Sequence, residues 1–204
     1  MNKIIQFLEK YFVPVAGKIG SQRHLVAIRD GFVAIMPLIL LGSFAVLING
    51  LPFDWYQNFL TDVFGPGWTD LGGNIWKGSF AILSLLVAIS ISYNLAKSYK
   101  VDGLSAALVT FGALVIMSPV TATEGGLDFG WLGAQGLFVS IIVSLVATEI
   151  FRFLIQKNFT IKMPNGVPTA VARSFAALLP ATVVFIVFSL AFLLFSHAGT
   201  SLHE

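Results

Sequence analysis

Residues 31–53, GFVAIMPLILLGSFAVLINGLPF, run for 23 positions without a formal charge. A helix rises about 1.5 Å per residue, so a stretch of this length covers a hydrocarbon core roughly 30 Å thick. Four more charge-free stretches recur downstream, over 78–96 (19 residues), 103–123 (21), 129–148 (20) and 174–203 (30). Across the chain 56% of residues are hydrophobic and 11% charged, where a soluble domain carries about 25% charged residues. The sequence therefore predicts an all-α membrane protein in which residues 1–204 form one domain or part of one. Five transmembrane helices are expected, over about 31–50, 75–96, 103–120, 130–155 and 172–196.

The first seventeen residues read differently. Ile4, Ile5, Phe7, Leu8, Tyr11, Phe12 and Val15 fall on one face of a helix, with Asn2, Lys3, Gln6, Glu9 and Lys10 on the other. No continuous apolar core and no small-residue cleavage site mark a signal peptide. Residues 1–17 are expected to form an amphipathic helix lying in the membrane interface, with packing on a soluble partner as the alternative.

Sidedness follows from the basic residues, because short loops rich in Lys and Arg stay cytoplasmic. Lys3, Lys10, Lys18, Arg23 and Arg29 precede the first span, Lys97 and Lys100 separate the second from the third, and Arg152, Lys157, Lys162 and Arg173 separate the fourth from the fifth. Eleven of the twelve cations thus share one face, and Lys77 stands alone on the other. The opposite loops hold Asp54, Asp62, Asp70, Glu124 and Asp128 together with Trp55, Trp68, Trp76 and Trp131. The expected topology is N-terminus inside, C-terminus outside.

Helices in lipid associate through small residues that let backbones approach. Ser84, Ala88 and Ser92 recur at four-residue steps, as do Gly136, Ser140, Ser144 and Thr148. These stripes point to close packing, and the third span, small on more than one face, is expected to be the most enclosed. The first span is bulky nearly all round and carries Pro37, so a broad side of it is expected to face lipid.

Chemistry in a membrane shows itself as ionisable residues deep in a span. Here the nearest case is Glu149, with Arg152 one turn later, a pairing spacing. It reads either as a structural ion pair or as a contact for substrate or partner. The histidines, His24, His197 and His203, lie outside the span centres, and the last two, six residues apart, are poor helical partners for a metal. No zinc-protease motif, serine triad, phosphate-binding glycine loop or basic-aromatic groove for nucleic acid is present, and without cysteine there is no disulfide or thiol chemistry. No catalytic residue, metal site or cofactor is assigned.

Before the last span, Pro164, Gly166 and Pro168 form a rigid corner, and Arg173 sits on the first turns of the following helix as a headgroup anchor. This basic corner reads as a docking surface for a cytosolic partner or simply as a well-defined turn.

The stretch MPNGVPTAVARSFAALLP, together with AIRDGFVAIMPLILLGSF (residues 27–44) and the tail HAGTSLHE, resembles the N-terminal half of the membrane-embedded C component of the phosphoenolpyruvate-dependent sugar phosphotransferase system, lactose/cellobiose family. The resemblance runs over essentially the whole chain. It implies a multi-pass permease of the bacterial inner membrane that binds a β-linked disaccharide of the cellobiose, chitobiose or lactose class outside and presents it to a phosphorylated B component in the cytosol. The A and B components are then its partners, and a homodimer through the N-terminal helices is implied as well. Members are about twice as long, so the resemblance also implies a chain without the sugar-gripping half, either truncated or one half of a split transporter. No substrate-binding residue is carried over. A non-transporting membrane scaffold or receptor built from the same five helices is the alternative.

Overall fold

A computed structural model describes residue 5, residues 7–119, 129–164 and 166–197, and residue 202. Readings that fall on Asn2, Lys3, Ile4, Gln6, Glu124, Asp128, Asn165 and His203 lie outside these residues. All regular structure among the described residues is helical. After a π-helical turn over Leu8–Phe12 come α1 (Val13–Gly20), α2 (Arg23–Gly50), α3 (Asp54–Phe64), α4 (Thr69–Lys77), α5 (Leu83–Ser98), α6 (Gly103–Met117), the short α7 (Phe129–Leu132), α8 (Leu137–Gln156) and α9 (Thr169–His197).

Among the described residues, four helical runs are long and apolar enough to cross a membrane: α2, α4 with α5 (Thr69–Ser98), α8 with the turn before it (Ala134–Gln156), and α9. The segment expected to span over 103–120 is an apolar helix of 15 residues, roughly 22 Å long at 1.5 Å per residue. Its end has a local cause. Ser118 precedes Pro119, whose ring disfavours helical backbone at the residue before it, and Ser118 is extended with ψ 136°. The helical run through 75–96 is also interrupted. Ser79 leaves the helix with φ −130°, its hydroxyl donates back to the Ile75 carbonyl at 2.7 Å, and a 3-10 turn over Phe80–Ile82 restarts the chain into α5.

The interior is built around α5, which packs on α2, α6 and α8, while α9 closes over α6 and α8. Half of the sixteen residues of α5 are buried, and eight of the fifteen of α6, but only five of the twenty-eight of α2. Both small-residue stripes face inward, with Ser84, Ala88, Ser92, Ser140, Ser144 and Thr148 fully buried. Where they meet, Thr110 of α6 donates to the Ser92 hydroxyl at 2.8 Å, and Ser92 and Thr148 share a bond of 2.7 Å. Three helices are thereby joined by hydroxyls that would otherwise be orphaned in an apolar medium. Against α2 the approach is closer still: a Cβ on Gly31 would stand 2.6 Å from Ile91 Cγ1 and 3.0 Å from its backbone nitrogen.

On the far side of α2, Val33, Met36, Leu40, Leu41, Phe44 and Leu47 stand exposed among the described residues. Likewise α1 buries no residue. The apolar side chains Ile5, Phe7, Tyr11, Phe12 and Val15 before and within it are all exposed.

Candidate functional site

At the end of the bundle where the basic residues gather, α8 presents Glu149 and Arg152 one turn apart. Arg152 Nε donates to Glu149 Oε2 at 2.7 Å, and Arg152 Nη2 donates to the same oxygen. The other oxygen, Oε1, accepts from the Tyr99 hydroxyl at 2.6 Å and pairs with His24 Nε2 at 2.9 Å. An ionised carboxylate only accepts, and offers about four lone-pair directions. All are used by donors from three separate segments: the first turn of α2, the α5–α6 connection and α8. The Glu149 side chain keeps 27% of its surface exposed, so the cluster is half-buried.

Tyr99 owes its position to the way α5 ends. Val101 N–H bonds back to the Ala96 carbonyl at 3.1 Å and Lys100 N–H to the Lys97 carbonyl at 3.0 Å, which closes the helix in a Schellman turn. Lys100 occupies the left-handed position, φ 60°, where glycine is usual. The Tyr99 ring then carries two guanidinium groups, Arg23 at 4.2 Å and Arg152 at 4.3 Å from its centroid. Gln156 fastens the group by donating to the Tyr99 carbonyl at 3.3 Å and accepting from Arg152 Nη1 at 3.2 Å. Burial raises the phenol's pKa above its ordinary value, and the hydrogen bond to Glu149 and its negative charge add to this against the two arginines.

A second pair lies beside the first. Asp102 caps α6, accepting the Ser105 N–H at 2.8 Å. Arg173 Nη1 of α9 stands 3.6 Å from the other Asp102 oxygen. The Ser105 hydroxyl holds the Asp102 carboxyl below its usual range, with help from the Ser105 N–H and the charge of Arg173, and against the effect of burial. Between these residues, Phe151 and Ala177, lies an open cavity of about 220 Å³.

The corner before α9 is a separate feature. Gly166 has φ +102°, a conformation that side chains rarely adopt. Pro164 and Pro168 are exposed, and the Pro168 carbonyl accepts the Ala172 N–H at 3.0 Å as α9 begins. Of the corner residues singled out in the sequence, Arg173 alone reaches the polar groups of the basic end. His197, at the opposite terminus of α9, is exposed.

Tyr99 and Asp102 are not among the site residues expected from the sequence, and His24 enters only as lying outside the span centres. For Asp102 a signal exists: an acid three residues before Ser105 and at the head of an apolar run is an N-cap spacing. His24 and Glu149 are 125 residues apart, and no local pattern connects them.

A family profile described as "Phosphotransferase system, EIIC" matches residues 29–203. The chain is 39% identical over 217 residues to the lichenan permease IIC component of Bacillus subtilis (strain 168), covering 100% of this chain and 48% of that one. It is 41% identical over 199 residues to the cellobiose-specific EIIC component of Geobacillus stearothermophilus, covering 92% and 44% respectively. Among solved structures, the transporter ChbC, the IIC component from the N,N'-diacetylchitobiose-specific phosphotransferase system, matches with a TM-score of 0.89 and 40% identity over 97% of this chain and 49% of that one. The chain spans about half the length of the curated relatives it matches. With most of its residues inside the family match and a shared arrangement of helices, this membrane protein belongs to the phosphotransferase system EIIC family.

Proposed function

We propose that this chain is part of a permease that takes up a β-linked disaccharide of the cellobiose, chitobiose or lactose class and passes it to the cytosolic components of the phosphotransferase system. The observation that carries this reading is the match to ChbC, whose helices follow the same course over 97% of the chain at 40% identity. The relatives' names, lichenan permease and cellobiose-specific component, support the same substrate class.

In this reading the chain crosses the bacterial inner membrane with its basic end in the cytosol, and it works as a homodimer. The Glu149 and Asp102 clusters do structural work at that end. Glu149 has no acceptor position left for a sugar hydroxyl, since four donors of the chain itself occupy it. The exposed corner at Pro164, Gly166 and Pro168, with Arg173 behind it, is the surface offered to the cytosolic B component. No observation favours a non-transporting scaffold.

Cells deprived of their own β-disaccharide permeases and expressing this chain together with the second half of a relative such as the lichenan permease IIC component are expected to accumulate phosphorylated cellobiose, chitobiose or lactose in a phosphoenolpyruvate-dependent manner. Failure with all three sugars, while the protein is present in the membrane, would count against the reading.

A further inference from the structure

On the basic side of the crossing where Gly31 meets Ile91, α2 and α5 leave between them an open cavity of about 300 Å³. Gly31 stands against Ile91 and Arg23 against Tyr99, so the two helices run antiparallel. Arg23 and Ser98 therefore line one end of the cavity, Asp30 and Asn94 the other, over a floor of Val26 and Ala27. Arg23 and Asp30 are seven residues apart, which returns them to one helix face roughly 10 Å apart along the axis. The bonding capacity left over at the two ends differs. The Arg23 guanidinium lies on the Tyr99 ring, 4.2 Å from its centroid, and the Tyr99 hydroxyl is fixed by its bond to Glu149. No carboxylate pairs with Arg23 among the described residues, so a planar fork of donors is held in place and unused. Asp30 takes both contacts from Arg29 on Oδ1, each at 2.8 Å, and Asn94 Nδ2 donates to the Ser90 carbonyl at 2.8 Å. Asp30 Oδ2 and Asn94 Oδ1 accept nothing among the described residues.

That asymmetry says what fits. A bare anion suits the guanidinium but is repelled by the carboxylate at the far end. A neutral polyol can donate its hydroxyls to Asp30 and Asn94 but leaves the guanidinium empty. A phosphate joined to a polyol satisfies both ends, because a guanidinium binds phosphate through two parallel N–H bonds and the two oxygens accept from hydroxyls. We infer that this cavity binds a phosphate ester of a polyol, with Arg23 on the phosphate and Asp30 and Asn94 on the hydroxyls. The inference rests on the preceding reading for placing this end in the cytosol. Two sources of that chemistry meet it there: the phosphorylated sugar that the transport reaction releases, and the headgroup of phosphatidylglycerol in the inner leaflet.

The test titrates the full chain, in nanodiscs of phosphatidylcholine, with glucose 6-phosphate, inorganic phosphate and glucose in a calorimeter. Glucose 6-phosphate is expected to bind about tenfold tighter than either of the others, since only it engages both ends. Arg23→Gln should weaken it about tenfold while leaving glucose unchanged, and Asn94→Ala should bring it down toward inorganic phosphate. Arg23→Gln also gives up the contact with Tyr99; should it fail to fold, Asn94→Ala must still show its loss. Phosphatidylglycerol nanodiscs separate the two sources. The affinity for glucose 6-phosphate falls there if the headgroup takes the cavity and is unchanged if the free sugar phosphate does, and either result upholds the site. Equal affinities for glucose 6-phosphate and inorganic phosphate in phosphatidylcholine, or variants that bind as the unsubstituted chain does, overturn it. So does binding that vanishes when the chain is coexpressed with the second half of the lichenan permease IIC component, which would give the cavity to that half. Uptake is scored separately: uptake without this binding overturns the site alone, and binding without uptake overturns the transport reading alone.

Discussion

The Tyr99 hydroxyl lies 2.6 Å from the Glu149 carboxylate although the residues are 50 apart in the chain. This bond joins the connection after α5 to α8, and on the same carboxylate oxygen His24 brings in α2. The basic end of the bundle is thus gathered on one side chain.

Removing the donor and removing the acceptor should therefore differ. Tyr99→Phe takes away one of four bonds and is expected to cost about 1 kcal/mol, whereas Glu149→Ala strands Tyr99, His24 and Arg152 together and should cost about 2–3 kcal/mol. Thermal unfolding in detergent measures both. Equal losses would show that the carboxylate is not the hub. If Glu149→Gln assembled normally and yet abolished uptake, the structural reading of this cluster would fail.

The two shifted groups outside the spans give opposite pH limbs. Asp102 has a folded-state pKa below its ordinary 3.8, so its ionised form stabilises the fold above that value, and the contribution disappears as pH falls through the lower folded-state pKa. Asp102→Asn keeps a capping oxygen but not the charge, and is expected to flatten the acid limb below pH 3.8. Asp102→Ala should cost about 1 kcal/mol at neutral pH through loss of the cap. Tyr99 has a pKa above its ordinary 10.0. Its contribution is complete below that value and is lost as pH rises through the higher folded-state pKa. In Tyr99→Phe that alkaline loss should vanish from pH-dependent melting curves.

Packing at the α2–α5 crossing should tolerate no added carbon. Gly31→Ala places a methyl group against the backbone of Ile91 as well as its side chain, and overpacking of this kind costs about 1–3 kcal/mol. Gly17→Ala, where a Cβ meets nothing within 4 Å, is the matched control and is expected to leave the melting temperature unchanged or slightly raised. Similar melting temperatures for the two variants would contradict so close an approach of α2 to α5.

Sidedness is open to direct chemistry, since the chain has no cysteine. Single cysteines at Lys162 and Asp62, challenged with an impermeant thiol reagent on intact cells, should label only at position 62. Labelling at 162 from outside would invert the topology.

Much of the architecture is legible along the chain itself. Four of the five charge-free stretches announce helices long enough for a bilayer, and the four-residue steps of Ser84, Ala88, Ser92 and of Gly136, Ser140, Ser144, Thr148 announce which faces turn inward, because helical periodicity is a local property of the chain. Less legible is how the runs end. Ser118–Pro119 stops α6 at Met117, and Ser79 breaks the run before α5; hydropathy averages pass over both, though the proline is a visible signal.

The sequence by itself determined that this chain is helical, apolar enough for a membrane and strongly asymmetric in charge, since each of these depends on residues close together in the chain. Only the tertiary structure decided what Glu149 meets. Its pairing with Arg152 is one helical turn long and could be read from spacing, but His24 and Tyr99 reach it from helices whose mutual placement depends on contacts distant in sequence, such as Gly31 on Ile91 and Thr110 on Ser92. No window of neighbouring residues carries that information, because it belongs to the way whole helices lie against one another.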